Sequence, residues 1–292
     1  MKLFIYNKNF HHMNRQALDE MVDYLKIEKV NNIDEAEVVY SPSQPLNTEI
    51  YPHKIYIFGP HFSVFPTPTA RSISNKYQNA VYIQPSQPTV DTWIKEFGFT
   101  NVPVKAFPFP LNMGRYLVSN KIKDTVLLYY KQRDPSELAA MKNFLEHAGV
   151  KYELISYGSY KESDFQEKLD RAKYAVWVGR HESQGFALQS ALAKDIPILV
   201  WSTRLRSQEW GCPQHYYNVK SEVTTVPYWD KTCGIKFHDV SELEESYEEF
   251  LDNLSSYSPR KFIEDNLTIE KCSQNFIDLV AEVKERMESY HE

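Results

Sequence analysis

Apolar runs of four or five residues recur through the first 107 positions, at 2–6, 37–40, 54–58, 80–83 and 104–107, each bounded by polar or proline-rich sequence. Runs this short between turn formers predict buried β-strands. Between the first two, Ala17, Leu18, Met21, Val22 and Leu25 repeat at helical spacing, and a second helix is expected over 89–97. Strand, helix and strand therefore alternate, the signature of a parallel sheet. The proline-rich stretches 41–45, 60–68 and 85–88 follow strands they cannot continue, so they are expected as loops.

Pro108, Pro110 and the polar stretch 111–124 interrupt this rhythm, and a second series begins after them. Strands are expected at 125–130, 152–157, 174–178 and 198–201, with helices at 164–172 and 186–194. A further helix should start where Asp134 caps, Pro135 takes the first helical position and Glu137 closes a capping box, and it should end at Gly149. Beyond Trp201 the pattern fades, with strands predicted only at 223–228 and 234–237. Two apolar stripes then predict helices: Leu243, Tyr247, Phe250, Leu251 and Leu254, and Ile269, Cys272, Phe276, Leu279, Val280, Val283 and Met287. Core packing explains both stripes.

The expected fold is α/β, with two doubly wound Rossmann-like domains: 1–118, 119–265, and a C-terminal segment 266–292. A length of 292 residues suits two domains of roughly 150. The formal net charge is -6 and acidic residues concentrate at 241–252, so there is no basic field for a nucleic-acid backbone. Three cysteines without a C-x-x-C pair argue against a disulfide framework and a thiolate zinc site, and fit a reducing, cytoplasmic setting. Nowhere do eighteen apolar residues run together, so neither a transmembrane helix nor an export signal is expected. Nine glycines stand where average usage would give about twenty, and no G-x-G-x-x-G or G-x-x-x-x-G-K-[ST] pattern occurs. Dehydrogenase and P-loop chemistry lose their main support.

The most informative segment is 174–201, YAVWVGRHESQGFALQSALAKDIPILVW. It reads as strand, polar turn, helix and strand, with the turn at a strand's carboxyl end, where open α/β sheets bind ligands. The wording of the turn and helix, Glu182-Ser183-Gln184-Gly185-Phe186 through Ala193 with Pro197 beyond, resembles the retaining GT-B glycosyltransferases of family 4. Those enzymes often carry E-S-F-G-L-x-x-x-E-A-x-A-x-G-x-P, and Ser190 stands here in place of the second glutamate. Phe107 through Asn112 sits where the family turns into its second domain, without the usual glycine and aspartate. VLLYYKQR, 126–133, sits at the family's first C-domain strand, and Ser258-Pro259-Arg260 precedes the last helix as in that family.

The resemblance implies two domains facing a cleft, a nucleotide-sugar donor (UDP- or GDP-linked) in the second, and a glycan or other hydroxyl acceptor on the first. The last helix would return to the first domain. It further implies metal-independent transfer with retention, the leaving phosphate acting as base, and no cofactor. Glu182 would accept hydrogen bonds from the donor sugar, since a carboxylate can take two hydroxyls at once. Its position at a helix start is also what the macrodipole favours in a surface glutamate.

Gly185 and Phe186 would present backbone amides, and Ser190, helped by Gln189 or Glu209, would face the ribose. Lys131, Arg133 and Arg180 are the candidate cations for the diphosphate, with ordinary surface charge or an Arg180–Glu182 pair as the plain alternatives. On the acceptor side stand His11, His12 and His61, the last where family members often have a catalytic histidine; nothing in their spacing suggests a metal site. Two rival functions remain open: a non-catalytic nucleotide-sugar or glycan-binding module derived from such an enzyme, and a GT-B-shaped nucleotide-sugar epimerase.

Overall fold

The computed structural model describes residues 1–6, 11–42, 44–61 and 64–289. The chain forms two units, Met1–Asn112 with Leu267–Glu292, and Met113–Asn266. In the first unit the chain runs β1 (Lys2–Ile5), α1 (His12–Tyr24), β2 (Glu28–Lys29), β3 (Val38–Ser41), β4 (Ile55–Phe58), α2 (Pro68–Arg71), β5 (Ala80–Gln84), α3 (Gln87–Asp91) and β6 (Val104–Ala106). All six strands are parallel, in the order β2-β1-β3-β4-β5-β6. Every residue of β3, β4 and β5 is buried, which is why their sequences VVYS, IYIF and AVYIQ lack polar alternation. Ala17, Leu18, Met21 and Val22 bury one face of α1, as their spacing predicts.

The second unit runs β7 (Thr125–Lys131), α4 (Pro135–His147), β8 (Tyr152–Ser156), α5 (Glu162–Arg171), β9 (Ala172–Gly179), α6 (Phe186–Ala193), β10 (Ile198–Trp201), β11 (Gly234–Phe237), α7 (Leu243–Asp252) and α8 (Pro259–Asn266). Its five strands are also parallel, in the order β11-β10-β9-β7-β8. On one face Val126, Leu128, Val176, Val178, Leu199 and Trp201 pack against Met141 and Leu145 of α4 and Tyr247 and Phe250 of α7. Tyr129 stacks on Trp177 with ring centroids 3.9 Å apart, a pairing that adds about 0.5–1.5 kcal/mol to simple burial.

The final helix, α9 (Ile269–Ser289), belongs to the first unit. Its buried Cys272, Phe276, Leu279 and Val283 are the sequence stripe. Arg286 donates to the carbonyls of Gln78 and Ala80, and Lys105 pairs with Glu282 at 2.9 Å, so the C-terminal half of α9 is fastened to the β5–β6 side of the first sheet.

Four sequence expectations change. The stretch 223–228 is irregular, because Ser202, Thr224 and Thr225 side chains, not a strand ladder, hold it. The helix expected over 89–97 divides into α3 and a π-helical turn, Thr92–Glu96. Glu137 forms no capping box; both its oxygens go to Arg133, while Asp134 caps α4 through the Ser136 amide. Pro259 and Arg260 open a helix of their own, α8. Arg260 donates to the Ala193 carbonyl at the end of α6, a cation placed where a helix C-terminus favours one.

Candidate functional site

In the second sheet β7 is followed by β8 on one side, and the chain then crosses to place β9 on the other. The strand order reverses between β7 and β9. The loops leaving the carboxyl ends of two such strands diverge and open a crevice, the position where α/β sheets bind ligands. Lys131, the last residue of β7, is in register with Gly179, the last of β9, and the Arg180 amide donates to the Lys131 carbonyl at 2.8 Å.

Lys131 and Glu182 meet there. Nζ lies 2.6 Å from Oε1, with the two side chains only 10% and 14% exposed, and Nζ also sits 4.2 Å from the Tyr157 ring centroid. A charge pair this close and this shielded is worth keeping intact: removing one partner leaves the other charged and poorly solvated. Glu182 is held by its own backbone too, its amide donating to the Thr224 carbonyl at 3.0 Å.

Arg133 is placed differently from Lys131. It is completely buried, with Nε and Nη2 on the Glu137 carboxylate and Nη1 on the carbonyls of Gly179 and Trp201. Its guanidinium joins the carboxyl ends of β9 and β10. This arrangement ties Arg133 to the strand ends on either side of the turn.

After Glu182 the chain enters α6 through Gly185, whose φ of 87° lies in the left-handed region that L side chains rarely adopt. The surrounding space would admit a Cβ, the nearest atom being Glu182 Cβ at 3.6 Å, so the demand for glycine is conformational. Phe186 is the first residue of the helix. Gln189 donates to the Gln184 carbonyl at 3.0 Å, and both glutamines are buried, which braces the turn. Ser190 donates its hydroxyl to the Phe186 carbonyl at 2.8 Å.

A long segment between β10 and β11 brings in groups that the sequence reading did not single out as a set. Its 3₁₀ turn Arg206–Gln208 carries Arg206, 1% exposed, and the next residue is the buried Glu209. The segment is tied down where the Trp210 amide donates to the Gln132 carbonyl at 2.8 Å. Arg180 Nη1 contacts Glu209 Oε2 at 2.8 Å, so its carboxylate contact is Glu209; Glu182 pairs with Lys131. Burial works to lower the Arg180 pKa, but the Glu182 and Glu209 charges outweigh it and hold the group above its usual value. His181 is 3% exposed, and burial together with Arg206, Arg180 and Lys131 pushes its pKa well below 6.5, so the ring is neutral. Arg206 and His181 lacked a usable signal: RLRSQEW has no periodicity, and a histidine beside a motif glutamate has no spacing rule.

The remaining candidates belong to the first unit. His61 follows β4. Its Nδ1 is 2.9 Å from the Pro42 carbonyl and its Nε2 3.3 Å from the Tyr82 hydroxyl, while the ring stacks on Trp93. The carbonyl contact requires Nδ1–H, which leaves Nε2 to accept from Tyr82. Burial lowers the His61 pKa, with the Pro42 hydrogen bond opposing. His11 caps α1, its Nδ1 accepting from the Met13 amide at 3.3 Å, and His12 lies beside it with ring centroids 4.6 Å apart. Positions 7–10, 43 and 62–63 of the three acceptor-side loops lie outside the described residues. Among the described residues no group of three His, Cys, Asp or Glu converges as metal ligands do.

No protein-family model and no curated protein matches the chain. Among solved structures it is similar to the lipopolysaccharide outer core galactosyltransferase WaaB in its apo form: TM-score 0.55, 13% identity, 95% of this chain and 98% of that one. The Anabaena HepE protein in complex with UDP and glucose aligns with TM-score 0.55 at 9% identity over 96% and 99% of the two chains. Sucrose-phosphate synthase from Thermosynechococcus elongatus aligns with TM-score 0.50 at 9% identity, over 93% of this chain and 78% of that one. These likenesses establish the fold: two parallel α/β units of GT-B type with a C-terminal helix returned to the first.

Proposed function

We propose that the chain is a glycosyltransferase that moves a sugar from a nucleotide-sugar donor to a hydroxyl of a glycan or other acceptor. The observation carrying this reading is the Lys131–Glu182 pair at the reversal of strand order in the second sheet, with Gly185 and the start of α6 beside it. The fold likeness to a galactosyltransferase, and to a protein bound to UDP and glucose, supports the same reaction class.

The chemistry assigned to the site follows from its charges. As the bond to the anomeric carbon breaks, negative charge grows on the departing nucleoside diphosphate. Lys131 and Arg180 offset it, a preorganised effect of about 3–4 kcal/mol for one well-placed donor. Lys131 takes one Glu182 oxygen, and the carboxylate has further acceptor positions for sugar hydroxyls. Those bonds fix the ring against the approaching acceptor. The amides of Gly185 and Phe186 lie at the N-terminus of α6, where the helix favours negative charge. Arg133 acts one step back, holding the strand ends that carry Arg180 and Glu182 in place.

The reading extends to UDP or GDP as carrier, to retention through a leaving phosphate that takes the acceptor proton, and to independence from metal. The acceptor is assigned to the first unit, with His61 as its fixed, neutral hydrogen-bonding group. Among the described residues no helix is long and apolar enough to cross a membrane. Cys233 and Cys272 are buried thiols whose pKa burial pushes up to about 12, which makes them unreactive; the cytoplasm is the proposed setting.

Ser190 favours a second reading, a binding module without turnover. Its hydroxyl hydrogen is already given to the Phe186 carbonyl, which leaves a weak substitute for a carboxylate that could hold a ribose. Calorimetry with a panel of UDP- and GDP-sugars, followed by measurement of nucleoside diphosphate release, separates the two. Binding with release supports the transferase; binding without release, with or without acceptor, supports the module.

A further inference from the structure

The second unit contains a buried group that the proposed transfer does not use. His181 Nδ1 is buried without a hydrogen-bond partner and lies 3.6 Å from Glu209 Oε2, the oxygen that Arg180 contacts at 2.8 Å. One carboxylate oxygen thus faces two candidate cations, and Arg180 holds it. The other neighbours of the ring are Arg206 from the segment after β10, Lys131 from β7 paired with Glu182, and Tyr216, whose ring is 5.9 Å away. Burial, with three cations around the ring against a single nearby carboxylate, keeps the histidine neutral.

An arriving nucleoside diphosphate changes this balance. Its charge offsets the cations around the ring, and its oxygens compete with Glu209 for Arg180, which can form two parallel bonds to a phosphate. If Arg180 turns to the phosphate, Glu209 loses its partner in a buried place, at considerable cost unless another cation replaces it. We propose that His181 is that replacement: binding of the nucleoside diphosphate moves Arg180 from Glu209 to the phosphates, and His181 takes one proton from solvent to pair with Glu209. The proton comes from the buffer, no covalent bond changes, and His181 acts as a positioning residue for Arg180. The inference rests on the donor-site reading.

The consequence is coupling between ligand and proton. His181 gains affinity for a proton when ligand binds, so ligand affinity rises as pH falls through the interval between its unliganded and liganded pKa values. A merely structural histidine would leave the proton count of binding unchanged.

The test is calorimetric titration of the full chain with UDP and with GDP, from pH 6 to pH 8, in buffers of different ionisation enthalpy, for wild type and H181N. The difference in protons taken up between the two proteins cancels the titration of the nucleotide itself. It should approach one as pH falls towards 6, with nucleotide binding retained in H181N. E209Q, which removes the carboxylate to be paired, should lose the same proton and serves as the deciding variant if H181N does not fold. Equal proton counts in wild type and a folded, nucleotide-binding variant overturn the exchange while leaving the donor site standing. Failure of wild type to bind either nucleotide overturns the donor-site reading and the exchange together.

Discussion

The carboxyl ends of the two sheets end in different chemistry. In the second unit the strands lead to Lys131, Arg133, His181, Arg206 and Glu209, all buried and mostly charged. In the first unit they lead to Ser41, His61, Gln84 and Ser86, neutral groups among Tyr82 and Trp93. Among the described residues the one buried charged side chain of the first unit is Lys54. It lies at the opposite edge, just before β4, donating to the carbonyls of Asp34 and Ala36. Two units of one architecture therefore offer different surfaces to ligands. On the proposed reading, the end dense in cations is the diphosphate side and the neutral, aromatic end the acceptor side.

The largest expected effect comes from Arg133, because its fully buried charge joins the carboxyl ends of β9 and β10 to Glu137. Arg133→Ala should lower stability by about 3–5 kcal/mol, since it leaves Glu137 and two strand-end carbonyls without their donor. Chemical denaturation reads this directly. A stability close to wild type combined with a specific loss of nucleotide binding would return Arg133 to the ligand. Next, Glu182→Gln should reduce sugar transfer about 10²–10³-fold while the protein stays folded. Turnover with the true donor, beside a circular dichroism spectrum, checks it; full activity removes Glu182 from the site.

Gly185→Ala is expected to cost about 1–2 kcal/mol through its left-handed φ alone, and to raise KM for the donor by disturbing the turn. A thermal melt and a KM measurement check the two halves. A graded effect separates the units through pH. His61 and His181 have pKa values lowered by burial, so the unfolded chain binds more protons than the folded one below about 6.5, the ordinary histidine value. Their stabilising contribution is complete above that value and declines as pH falls below it, by up to about 1.4 kcal/mol per pH unit for each histidine. Comparing H61N and H181N in denaturation from pH 5 to pH 8 assigns the loss to one unit or the other. A wild-type stability flat across that range would contradict both assignments.

The strand-helix rhythm was legible in the sequence because buried parallel strands leave unbroken apolar runs, and all five runs predicted up to position 107 contain strands. The frame around Glu182 and Gly185 was legible because a turn at a strand end concentrates a short motif. Three things were hidden. Arg133 reads as a loop cation beside Lys131, and only the partners in space, Gly179 and Trp201, reveal its different task. The segment after β10 has no periodicity, since side-chain hydrogen bonds of Ser202, Thr224 and Thr225 organise it. Long-range pairings such as Arg180 with Glu209 depend on how that segment folds back, which no local pattern encodes.

The most direct test of a donor site in the second unit is release of nucleoside diphosphate from a panel of UDP- and GDP-sugars by wild type, Glu182→Gln and Lys131→Ala. One nucleotide class released by wild type, and at least about 100-fold more slowly by each variant, is the expected result. Equal release by all three proteins, or neither binding nor release of any donor by wild type, would contradict it.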